Sequence, residues 1–108
     1  MLDKNTTIMP GPTRYPGKGG MVAAPGKGVN VLELALYHGV KAKEIWVTAT
    51  GEIKLFLNGE ERKPTQIRGE TLEFHYKGEG QDITGRRYGK IELLEVVGTG
   101  QFNLTVTQ

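Results

Sequence analysis

From residue 44 onward, apolar and polar side chains alternate in short runs. Ile45, Val47 and Ala49 are interleaved with Trp46, Thr48 and Thr50; Ile53, Leu55 and Leu57 with Lys54, Phe56 and Asn58. Leu72, Phe74 and Tyr76 alternate with Thr71, Glu73 and His75, and Phe102, Leu104 and Val106 with Asn103, Thr105 and Thr107. A period of two with one apolar face is the pattern of a half-buried β-strand. Ile91, Leu93 and Val97 suggest a further strand, as do Leu32, Leu34 and Leu36 against Glu33, Ala35 and Tyr37. Residues 31–40 also admit a helix with Leu32, Ala35 and Leu36 on one side, but the β-branched neighbours and Gly39 favour the strand. About six strands are predicted in all.

The residues between these runs suit antiparallel connections. Asn58-Gly59 is a strong hairpin signal, because both residues accept positive φ, and Thr50-Gly51 marks a second tight turn. Glu60-Glu61-Arg62-Lys63-Pro64 reads as a charged edge whose proline discourages further pairing. The expected fold is all-β: a small antiparallel β-sandwich or jelly roll over residues 31–108, preceded by an extended Gly/Pro-rich N-terminal arm over residues 1–30. A domain of this size buries only about 60% of its unfolded surface, and with no cysteine to staple it, oligomerisation into a dimer or trimer is expected.

The arm differs in composition from the rest. Four of the five prolines and six of the sixteen glycines lie in residues 1–30, where neither strand nor helix periodicity can be found. Lys4, Arg14, Lys18 and Lys27 against Asp3 give it a charge of +3, whereas the remainder, with ten basic and eleven acidic residues, carries −1. The tetrapeptide Pro-Gly-Lys-Gly occurs twice, at 16–19 and 25–28. A phosphate loop is excluded: Gly11 to Gly17 encloses five residues rather than four, and Lys18 and Lys27 are each followed by glycine, which has no hydroxyl for a metal. The dinucleotide fingerprint fails at Val22, Val31, Ile83 and Asn103, where it needs glycine or alanine. Such a segment holds its shape only where a surface ties it down. Neighbouring chains are the expected surface, and the domain's own sheet is the alternative.

The inventory of side chains argues against an enzyme. There is no serine and no cysteine, the only aspartates are Asp3 and Asp82, and most glutamates fall at alternate strand positions or in charged turns. His38 and His75 lie on different segments with no ligand-spaced partner. No catalytic residue, metal or cofactor is therefore expected. No apolar run approaches the length of a membrane span and no signal-like leader opens the chain, so no membrane association is expected.

Binding remains. Candidate partner contacts in the arm are Arg14, Tyr15, Lys18, Met21 and Lys27. On the sheet the candidate is Trp46, the only tryptophan, which faces opposite Ile45 and Val47 and so lies on an outer face or under a partner. Arg86, Arg87 and Tyr88 sit in a glycine-rich loop, residues 78–89, longer than a hairpin requires and rich in interface residue types. Two classes compete: an assembly role, and a carbohydrate-binding or adhesion module in which Trp46, Tyr37 or Tyr88 offers a ring to a sugar. Nucleic acid is a poor third, since +3 over thirty residues falls far short of a phosphate-neutralising block.

The stretch KEIWVTATGEIKLFLNGEE, with the short runs after it and the polar ending GTGQFNLTVTQ, resembles the small β-sandwich decoration or cement proteins of tailed bacteriophage heads. The resemblance is one of size, texture and layout over the whole chain, and tail or baseplate components share it. It implies a structural virion protein, made in the host cytoplasm, that binds the major capsid protein or other virion subunits as a homo-oligomer and stabilises the shell.

Overall fold

A computed structural model describes residues 13–17, 20–35, 43–77, 81–82 and 91–107. It is all-β, with two antiparallel sheets packed face to face, as in a small β-sandwich. The strands are β1 (Thr13–Tyr15), β2 (Val22–Ala23), β3 (Glu44–Thr50), β4 (Ile53–Leu57), β5 (Glu60–Arg62), β6 (Gln66–Arg68), β7 (Thr71–Lys77), β8 (Gln81–Asp82), β9 (Leu94–Gly98) and β10 (Gln101–Thr107), with one helical turn, α1 (Leu32–Ala35). The larger sheet runs β1-β10-β3-β7-β6, with β2 also on β10 and β8 also on β7, and the smaller runs β5-β4-β9.

The two sheets share one folded ribbon. Only Gly51 and Glu52 separate β3 from β4, and only Thr99 and Gly100 separate β9 from β10. Because β3 pairs with β10 and β4 with β9, β3–β4 and β9–β10 form a long antiparallel pair that bends over on itself. Glycine permits the bend. Gly51 and Gly98 take φ of 81° and 132°, and Gly100 donates its N–H to the Glu52 carbonyl at 3.0 Å. A Cβ on Gly98 would overlap the Glu52 carbonyl oxygen and lie 2.9 Å from its carbon, so the two crossings pack backbone on backbone. Thr50-Gly51 is therefore a corner between sheets, not the hairpin turn expected of it. Asn58-Gly59 is a hairpin turn: β4 and β5 pair up to Leu57 and Glu60, and Asn58 and Gly59 have φ of 51° and 86°, the sign a type I′ turn requires at both positions.

Alternation puts the apolar faces together. Ile45, Val47 and Ala49 of β3, Phe74 and Tyr76 of β7, and Phe102, Leu104 and Val106 of β10 are buried against Leu55 and Leu57 of β4 and Leu94 and Val96 of β9. β5 forms a charged edge, as its sequence suggests. β6 has no counterpart among the expected strands. On β9 the expected set Ile91, Leu93 and Val97 is replaced by Leu94 and Val96, one position out of phase, because the strand pairs Leu55 with Val96 and Leu57 with Leu94.

The strand expected around Leu32, Leu34 and Leu36 is also corrected. Residues 32–35 form a helical turn that buries Leu32 and Ala35 and leaves Leu34 44% exposed, whereas a strand would have put Leu32 and Leu34 on one face. Asn30 sets up the turn, its Oδ1 accepting the Leu32 N–H at 3.3 Å. The same side chain accepts from Leu94 N at 3.0 Å and donates to the Glu92 carbonyl at 2.9 Å, substituting for a neighbouring strand at the β9 edge.

The described part of segment 1–30 is extended, and it lies on its own domain, the alternative rather than the expected surface. Thr13–Tyr15 pair with Leu104–Val106 and Val22–Ala23 with Gln101–Phe102. Further on, Gly26 and Val31 donate N–H groups to Val96 and Leu94 at 3.0 and 2.8 Å. The physical reason is edge satisfaction: β10 and β9 would otherwise present unpaired backbone groups, and this segment pairs with them.

Candidate docking face

The second Pro-Gly-Lys-Gly sequence spans the outside of the smaller sheet. Gly26 and Gly28 take φ of 94° and 86° with open space where a Cβ would stand, so glycine is required there by conformation and not by crowding. The loop brings the Gly28 N–H to the Glu95 carboxylate at 2.7 Å. It also brings the Lys27 ammonium 3.6 Å from the centre of the Phe56 ring and 3.9 Å from the other Glu95 oxygen. Glu95 and Phe56 are cross-strand neighbours, and the loop turns an outward-facing glutamate into a buried one, 6% exposed. Lys27, expected to meet a partner, is engaged within the chain.

Other candidates from the segment behave alike. Tyr15 is half-buried, its ring tilted against Phe102 with centroids 6.1 Å apart. The Met21 sulfur accepts from the Thr50 hydroxyl at 3.6 Å. Arg14 is exposed on β1, opposite Thr105. Lys18, Arg86, Arg87 and Tyr88 lie outside the described residues, as do His38, Tyr37 and most of the glycine-rich loop.

Trp46 does stand on an outer face. That face belongs to the larger sheet, and its rows follow from the register. Arg14, Thr105, Trp46 and His75 form one row across β1, β10, β3 and β7; Asn103, Thr48, Glu73 and Gln66 form the next across β10, β3, β7 and β6; Gln101, Thr50, Thr71 and Arg68 form a third. Hydroxyl and amide side chains (Thr48, Asn103, Thr105) and charged ones (Glu44, Glu73, Lys77) surround one large ring, which is 38% exposed. The ring is held in two ways. It stacks on the His75 imidazole, with centroids 3.4 Å apart and planes inclined by 21°, and its Nε1–H donates to Glu44 Oε2 at 3.2 Å. The same oxygen lies 3.2 Å from His75 Nε2. Hydrogen bonding from His75, then from Trp46, holds the Glu44 carboxyl below its ordinary pKa.

An aromatic ring fixed by a stack and a hydrogen bond loses little freedom when a partner covers it, which is what an interface anchor requires. The sequence pointed to Trp46 but not to its two supports. Glu44 was readable as the i−2 neighbour on the same strand face, whereas His75 depends on the pairing of β3 with β7, which no local pattern carries. Of the nine candidate residues, the structure brings Arg14 and Trp46 onto one face, separated by Thr105, with Met21 reaching the same face at Thr50. Among the described residues no group of three or more His, Cys, Asp or Glu side chains is arranged to hold a metal, and no helix is long and apolar enough to cross a membrane. Comparison with known proteins yields no match: no family model, no curated protein and no solved structure is similar to this chain.

Proposed function

We propose that this chain is a non-catalytic docking module that attaches to a larger assembled surface through the outer face of its larger sheet, with Trp46 as the anchor. The observation that carries the reading is the Trp46 ring, exposed yet held by His75 and Glu44 on a polar face of Thr, Asn and Gln with Glu73 and Lys77 beside them. The chemistry fits a broad protein surface: one desolvatable aromatic inside a polar rim. With the layout resemblance described above, the particular role proposed is decoration of a phage capsid, the partner being the major capsid protein.

The test uses the only tryptophan as its own probe. Purified particles of the virus whose genome carries the chain, stripped of this protein, are titrated into it while Trp46 emission is followed, and binding is scored by co-sedimentation. Wild-type protein should bind with a change in emission, and Trp46→Ala should keep its melting profile and lose most of its occupancy. Full binding by Trp46→Ala would remove the proposal.

The same geometry favours a second reading. A fixed indole beside hydroxyl and amide groups also suits the face of a sugar ring. A glycan array with a Trp46-dependent hit, together with no binding to stripped particles, would select a carbohydrate-binding module.

A further inference from the structure

The side of the larger sheet opposite β1 is bounded by β6 and carries the most exposed large apolar residue described, Ile67, at 61%. β6 and β7 are joined by the two-residue turn Gly69-Glu70, with Gly69 at φ 59° and Arg68 opposite Thr71. In such a hairpin the residues flanking the turn exchange hydrogen bonds and the next pair does not. Ile67, opposite Leu72, is that next pair, so its N–H and C=O point away from β7. Among the described residues nothing pairs with them. Among the described residues, a backbone pair without a strand partner and an exposed isoleucine thus coincide at one residue.

We infer that β6 is the contact between two copies of this chain, paired antiparallel about a two-fold axis at Ile67. This deepens the proposed function, on which its functional meaning rests. The register commits to a second copy because the edge complements itself. With Ile67 opposite the partner's Ile67, the two residues exchange both backbone hydrogen bonds, and Arg68 falls opposite the partner's Gln66. The two Arg68 side chains are diagonal neighbours, and each has its own counter-charge, Glu73 at 3.4 Å. Pro64, with no N–H to donate, ends the pairing and limits growth beyond a dimer.

A two-fold axis of this kind runs perpendicular to the sheet, so both outer faces look the same way. Five strand spacings then separate the two Trp46 positions across the sheet, about 24 Å, and their rows lie about 20 Å apart along the strands, which puts them about 31 Å apart in all. The dimer is a bivalent docking face, and the second attachment gains from being intramolecular.

The full chain should show a concentration-dependent monomer–dimer equilibrium in light scattering and sedimentation. Ile67→Lys, a change at an exposed position, should keep the melting profile and weaken the dimer by about tenfold or more. Because the chain has no cysteine, Ile67→Cys supplies a single thiol. Its partner Cα would lie about 5.5 Å away, within disulfide reach, so mild oxidation should give covalent dimers, whereas Lys54→Cys on the other sheet should not. A strict monomer at high concentration, or a dimer that is indifferent to Ile67→Lys and gives no Ile67→Cys cross-link, would overturn the inference. Either result leaves the docking reading standing if stripped particles still bind through Trp46. Conversely, a cross-linked dimer that ignores particles would sink that reading alone.

Discussion

Replacing Gly98 by alanine tests whether the two sheets are one ribbon folded at a backbone contact. Two costs add. At φ 132° an L side chain is strained, by about 1–2 kcal/mol. The new methyl would also overlap the Glu52 carbonyl and stand 3.2 Å from Ile53 Cα. These neighbours are backbone atoms of the other crossing and cannot rotate aside, so overpacking adds about 1–3 kcal/mol. The total, about 2–5 kcal/mol, is a large share of the stability of a domain this size. Gly59→Ala is the matched control: its φ is 86°, with nothing within 4 Å of the added atom, so only the conformational cost of about 1–2 kcal/mol applies. Urea unfolding of both variants, with comparable slopes, gives the difference directly. The folded ribbon predicts that Gly98→Ala is the worse by about 1–3 kcal/mol. Equal losses within about 0.5 kcal/mol would show that the crossings do not meet as described.

Three further outcomes follow from the same structure. Leu55, fully buried on β4, should cost about 2–5 kcal/mol as Leu55→Ala in thermal melts, and a change below about 0.5 kcal/mol would reverse the assigned strand face. Glu95→Ala should cost about 1–3 kcal/mol by leaving the Gly28 N–H without its acceptor, while Lys27→Ala, removing a half-exposed ammonium, should cost less than about 1 kcal/mol; equal losses would mean that the loop is held by charge and not by its hydrogen bond. Glu44 supplies the pH dependence. Its carboxyl is held below the ordinary 4.5, so its contribution is present above that value and is lost as pH falls through the lowered one. The stability gap between wild type and Glu44→Gln should therefore close below about pH 4.5, with a parallel change in Trp46 emission; a gap unchanged down to acid unfolding would contradict the hydrogen bond.

How much of this was legible in the sequence depends on how locally each feature is specified. β3, β4, β7 and β10 were readable because one face of each is buried, which writes a period of two into the chain, and Asn58-Gly59 because its turn demands those residues. β9 was readable as a strand but not in its face, since Glu95 is buried on the outer side and Leu93, Leu94, Val96 and Val97 leave no clean alternation. The turn at residues 32–35 is too short for a helical period and takes its shape from Asn30, which also pairs with β9. Thr50-Gly51 has the composition of a hairpin turn, and only its approach to Gly98 and Gly100, half the chain away, makes it a corner. The repeated Pro-Gly-Lys-Gly was read as chain that must turn closely against a surface. The second copy does lie on a surface, but on the domain's own Glu95 and Phe56, the alternative, and not on the neighbouring chain that was expected.

The central proposal, that the chain comes from a tailed phage and docks on its shell through the Trp46 face, is tested most directly by cryo-electron microscopy of that phage's particles. The account predicts density for the sandwich on the outside of the capsid, with the larger sheet's outer face against the major capsid protein and Trp46 buried in the contact. Particles that lack the protein, or that carry it with Trp46 turned to solvent, would contradict it.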